Sequence, residues 1–117
     1  MSYPEEQLWD HINDGCTRMT FKQRKLWEVI KRMPEEWQLK GHGPCWVVAI
    51  LGSTVIYYNH HEQGFNRSPW VRYGVIESYQ TLQGELDEAV QMQLDLIEDG
   101  SDGPWTTGPL PGEYQPP

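Results

Sequence analysis

Seven consecutive apolar residues, Cys45-Trp46-Val47-Val48-Ala49-Ile50-Leu51, lead through Gly52-Ser53 into Thr54-Val55-Ile56-Tyr57-Tyr58. No other stretch constrains the fold as much, because it spells out a β-hairpin. A two-residue loop with Gly first suits a type II′ turn, whose first central residue needs positive φ. The expected register sets Leu51 against Thr54, Ala49 against Ile56 and Val47 against Tyr58. Ile50 with Val55 and Val48 with Tyr57 then lie on the other face. Since the first strand is apolar on both faces, it should be central and covered on both sides.

Helical patterns flank the hairpin. Ser2 and Glu5 read as a capping box with Pro4 in the first turn, and Leu8, Ile12, Cys16 and Met19 then recur at helical spacing over about residues 4–18. Thr20 and Gln23 form a second capping box. Leu26, Val29, Ile30 and Met33 continue as an apolar stripe that should stop near Arg32 or Met33, ahead of Pro34. Residues 34–40 read as a short edge strand or an extended linker, and Gly41-His42-Gly43-Pro44 as a turn. Residues 59–69 read as a long polar connection and residues 70–79 as a further strand. Thr81 is placed to cap a last helix over about 82–97, with Leu82, Leu86, Val90, Leu94 and Ile97 as its stripe.

The predicted fold is α+β. Two N-terminal helices precede a three- to four-stranded antiparallel meander sheet, one C-terminal helix follows, and residues 1–98 form a single domain. Residues 99–117, rich in Gly and Pro, are expected to form a flexible, disordered tail.

Charge narrows the partners. The net charge is −8, and all nine Lys and Arg lie in residues 1–72, whereas residues 73–117 hold nine acids and no basic residue. Such a distribution disfavours nucleic acid and suits a basic partner or simple solubility. No apolar run approaches the roughly 20 residues needed to cross a bilayer, and the acidic N-terminal residues have no signal-like hydrophobic segment, so no membrane and a cytoplasmic setting are expected. Cys16 and Cys45 form no CxxC pair and should be reduced structural thiols, Cys45 with a raised pKa.

Asn59-His60-His61-Glu62 holds the residue types that could ligate a metal or exchange protons. In extended chain, however, adjacent histidines point to opposite faces, and His11 and His42 are remote in sequence. No nucleophile motif, phosphate-binding loop or dinucleotide fingerprint occurs. No residue is therefore assigned a catalytic, cofactor-binding or metal-ligating role. The candidate recognition surface is the long loop and its flanks: Tyr58, Asn59, His60, His61, Glu62, Phe65, Asn66, Trp70 and Arg72.

Pro34-Glu35-Glu36-Trp37, the run Trp46 to Gly52, Tyr57-Tyr58-Asn59, Glu62, Gly64-Phe65-Asn66 and Tyr73-Gly74 together resemble a group of small bacterial proteins of unknown function, over roughly residues 8–97. The resemblance implies a shared fold and a bacterial origin, and no site. The leading expectation is a non-catalytic protein-binding domain, of the immunity or inhibitor kind, for a basic partner. The alternative is a small-molecule or metal-binding protein, or an enzyme, that uses residues 59–66. A third reading is self-association through the sheet edge at 36–40.

Overall fold

The computed structural model describes residues 3–99. Its elements are α1 (Glu5–Arg18), α2 (Phe21–Ile30), β1 (Lys31–Leu39), β2 (Gly43–Leu51), β3 (Thr54–Asn59), β4 (Gly64–Pro69), β5 (Val75–Ile76) and α3 (Leu86–Asp99). The strands form one sheet in the order β4-β3-β2-β1-β5, antiparallel except where β5 runs parallel to β1. The architecture is the expected α+β arrangement, with five strands rather than three or four.

The hairpin forms where the apolar run predicts it. Gly52 takes φ 58°, and Leu51, Ile50 and Ala49 pair with Thr54, Val55 and Ile56. Beyond Ala49 a bulge shifts the ladder, so that Val47 meets Tyr57 and Trp46 meets Tyr58 instead of the partners the uninterrupted register assigns. Val48 and Ala49 consequently both join the core under the helices, while Cys45, Val47 and Ile50 pack on the opposite face. β2 is thus covered on both sides, as its composition requires.

Helices cover the first face. Leu8 and Ile12 of α1, Trp27 and Ile30 of α2, and Leu86, Ala89 and Val90 of α3 meet Val48, Ala49, Ile56, Tyr58 and Phe65 of the sheet. The Thr20–Gln23 capping box is formed in both directions. Pro4 is the N-cap of α1 and makes no side-chain cap; Ser2 lies outside the described residues, as does the expected tail from residue 100. α2 stops at Ile30, earlier than its stripe suggests, because Lys31 turns extended and pairs with Ala49. Cross-strand pairing wins over helical continuation there, and Arg32 and Met33 belong to a strand.

Among the described residues no helix covers the second face. The chain between β4 and α3 does so, together with the Trp37 and Leu39 side chains of β1. From β5, beside β1, the chain returns across the sheet: the Gln80 N–H donates to the Tyr57 hydroxyl on β3, Leu82 is held by Asn66 on β4, and Gly84 bridges Phe65. Residues 77–84 are therefore a strap, and α3 starts only at Leu86, with the Glu85 N–H accepted by the Glu88 carboxylate rather than a cap from Thr81. The buried face of α3 is Leu86, Ala89, Val90, Gln93 and Leu96, which leaves Leu82 and Ile97 of the expected stripe exposed.

Three sequence expectations are overturned here. Residues 59–69 are not a long loop: a tight turn over 60–63 joins β3 to β4. The polar run Asn66-Arg67-Ser68 forms a buried strand because its polar groups have partners, Asn66 on Leu82 and Arg67 on Gln93 at 2.8 Å. Residues 70–79 are mostly not a strand, since a turn closed by the Val75 N–H on Arg72 O, with Gly74 at φ 90°, leaves only Val75–Ile76 to pair. Nor is 36–40 a free edge, because β5 occupies the outer side of Gln38 and Leu39.

Candidate functional site

The nine candidate residues separate into two ends of the sheet and a buried middle. β3 runs from Thr54, paired with Pro69, to Asn59, paired with Gly64. The 60–63 turn and Trp70 therefore stand about 17 Å apart along the strand. Tyr58, Asn59, Phe65 and Asn66 are buried and serve the fold. His60, His61 and Glu62 sit at one end, and Trp70 and Arg72 at the other.

At the turn end the topology gathers all four histidines of the chain. His60 and His61 have ring centroids 4.2 Å apart, so they lie side by side rather than on opposite faces. The chain there is a turn, not extended strand, which is why the alternation argument fails. Asn59 shapes it, its side-chain oxygen accepting the His61 N–H at 3.0 Å and its amide donating to Gln80 O at 3.0 Å. His42, in the β1–β2 turn, lies 5.9 Å from His61 between ring centroids and stacks on Tyr79 at 3.9 Å. The Tyr79 hydroxyl donates to the Glu62 carboxylate at 2.9 Å. On the other flank Tyr3 stacks on His60 at 5.5 Å, and the Tyr3 and Tyr58 hydroxyls reach His11 Nε2 at 3.1 and 3.3 Å.

These contacts fix protonation sites. His61 Nε2 meets the His42 carbonyl at 3.1 Å and His42 Nδ1 meets the Lys40 carbonyl at 3.1 Å. A carbonyl only accepts, so both nitrogens carry hydrogen. Burial holds the His60 pKa below its ordinary value, and positive charge on His61 and on the amino terminus lowers it further. Burial likewise raises the Tyr58 phenol. Among the described residues no group of three or more His, Cys, Asp or Glu is placed to hold a metal ion.

At the opposite end Trp70 is pinned by its backbone N–H on Ser53 O at 2.9 Å and by its indole N–H on Gly52 O at 3.0 Å. Its ring meets Trp37 edge-on at 5.7 Å. Tyr73 packs on Trp37 at 4.8 Å and donates its hydroxyl to Glu35, which also accepts from Arg32 at 2.9 Å and from the Trp37 indole at 3.2 Å. The Tyr73 hydrogen bond is the largest influence holding the Glu35 carboxyl below its ordinary pKa. Gly52, Ser53, Trp70 and Val71 line an open hollow of about 370 Å³. Val71 is 88% exposed and Tyr73 56%.

Sequence reasoning missed Tyr3, His11, His42 and Tyr79 at the first end and Val71 and Tyr73 at the second. A meander offers one usable signal: alternate turns fall at the same end of the sheet, so the turns containing His42 and His60-His61 must be neighbours. The contacts of Tyr3 and Tyr79 carry no comparable signal.

No protein-family model, curated protein or solved structure matches the chain. Among the described residues no helix is long and apolar enough to cross a membrane.

Proposed function

We propose that the protein is a non-catalytic binding domain for another protein, of the immunity or inhibitor kind, and that the 70–73 knuckle makes the central contact. The observation that carries this reading is Val71, 88% exposed between a pinned Trp70 and a half-exposed Tyr73. Apolar and aromatic side chains held out on a rigid edge are what protein interfaces bury at their centres. The net charge of −8, with no Lys or Arg on α3, favours a basic partner and speeds its approach. The test is affinity capture from source cells, followed by titration of the purified captured protein against wild type and variants. Val71→Asp should weaken binding by about tenfold or more. Charge reversal of Asp95, on α3, should chiefly slow association and reduce its salt dependence. A captured protein that binds Val71→Asp as well as wild type overturns the reading.

A second reading rests on the hollow beside Gly52 and Ser53. The Ser53 hydroxyl is buried and has no hydrogen-bond partner among the described residues, which suits a small ligand with one polar group. The alternative of small-molecule binding thus moves from residues 59–66 to the Trp70 end. Quenching or a shift of tryptophan fluorescence by a metabolite panel, lost in Val71→Trp, tests it.

A further inference from the structure

We propose that His60 and His61 form an acid-operated latch that holds Tyr3 and the start of α1 against the end of the sheet. Tyr3 is fixed by four contacts. Its carbonyl accepts the Trp46 indole N–H at 2.7 Å, its hydroxyl meets His11 Nε2, and its ring lies 5.1 Å from Tyr58 and 5.5 Å from His60. Two of these four partners are imidazoles, whose charge changes between about pH 5 and 8.

The rings of the array are held close together. His61 and His42 each spend one N–H on a backbone carbonyl, which fixes both rings against the turn. His61 lies beside His60, with ring centroids 4.2 Å apart, and opposes charge on it. On the other flank, His11 Nε2 lies 3.1 Å from the Tyr3 hydroxyl and 3.3 Å from the Tyr58 hydroxyl, and its single in-plane position serves only one of the two at a time. The acidic groups facing the array are Glu62, already bonded to Tyr79, and Glu85, which acts on Tyr58 from the α3 side. The Tyr3, Tyr58 and Tyr79 phenols and the positive charge of the amino terminus also act on the array. The lowered pKa of His60 agrees with a site that resists charge. Acidification therefore places positive charge on the His60–His61 pair that stacks against Tyr3, and release uncovers Trp46 and the Tyr58 ring.

The test uses the full chain and amide-exchange NMR, with the Trp46 indole N–H identified by its loss in Trp46→Phe. Between about pH 7.5 and pH 5.5, protection of that N–H, corrected for the intrinsic exchange rate, should fall about tenfold or more. Protection of the Val55 amide, deep in the sheet, should be retained. The double variant His60→Asn/His61→Asn should retain most of the Trp46 protection at the lower pH. Unchanged Trp46 protection in wild type overturns the latch. So does a parallel loss at Val55, which would mean global opening, or an undiminished loss in the double variant.

Discussion

Asn66 holds both polar backbone groups of Leu82: its side-chain amide donates to Leu82 O at 2.9 Å and its side-chain oxygen accepts the Leu82 N–H at 2.8 Å. A side chain on β4, only 1% exposed, thereby does for the strap what another strand would do through backbone pairing. Asn66→Ala removes both bonds and leaves part-buried backbone groups of the strap without partners, a loss of about 2 kcal/mol. Asn66→Asp should be at least as damaging, since a carboxylate cannot donate to the Leu82 carbonyl. Urea unfolding with an unchanged m-value checks both.

Close backbone approach sets a second expectation. A Cβ on Gly64 would lie 2.5 Å from Gln83 Cα and 2.7 Å from Leu82 O, both backbone atoms of the strap. One on Gly15 would lie 2.6 Å from Leu86 Cβ, where α1 meets α3. In Gly15→Ala the helix-propensity gain of about 1 kcal/mol should be outweighed by overpacking of about 1–3 kcal/mol. Gly64→Ala should cost more, because backbone cannot swing away. Gly41→Ala has open space but sits at φ 81°, so about 1 kcal/mol is expected from conformation alone. Melting temperatures should therefore rank Gly41→Ala highest and Gly64→Ala lowest.

The apolar period made the three helices and the β2–β3 hairpin legible, because burial of Leu8, Ile12, Val47 and Ile56 is what that period encodes. It misplaced β4, where Asn66 and Arg67 are buried through hydrogen bonds that a pattern of hydrophobicity does not register. It overstated residues 70–79, where the alternation of Trp70, Arg72 and Ile76 is carried by a turn and a strap rather than a continuous strand. Burial of Gln93 in place of an apolar neighbour shifted the face of α3 for the same reason, since its partner is the buried Arg67. The histidine array was half legible: adjacent turns of a meander are readable, but contacts such as Tyr3 on His60 arise only when the helical layer is packed.

Alkaline stability should depend on Cys45. Burial pushes its thiol from 9.0 up to about 12. Below pH 9 the thiol is protonated in both folded and unfolded chains, and its contribution is fully present. As pH rises beyond that, the unfolded chain loses the proton while the folded one keeps it, so stability falls by up to about 1.4 kcal/mol per pH unit until the folded pKa is passed. Burial also raises the Tyr57 phenol, which adds to the loss above pH 10. Denaturant unfolding from pH 8 to pH 10.5 should show a shallower decline for Cys45→Ala than for wild type, even though the variant starts less stable. Parallel curves would show that the buried thiol is not the titrating group.

At the knuckle, fold and recognition should separate cleanly between two neighbours. Trp70 carries two backbone-directed hydrogen bonds and an edge-on contact with Trp37, so Trp70→Ala should cost about 2 kcal/mol, less than the value for a fully buried tryptophan because the ring is half-exposed. Val71 is 88% exposed and lines the hollow from its rim, so Val71→Asp should leave stability within about 0.5 kcal/mol of wild type. If the 70–73 edge is the recognition surface, both variants lose affinity for the captured partner, yet only Trp70→Ala loses melting temperature. Calorimetric unfolding alongside binding titration separates the two effects. A Val71→Asp protein that is as stable and binds as tightly as wild type would place the contact elsewhere, with the acidic outer face of α3 as the next surface to reverse in charge.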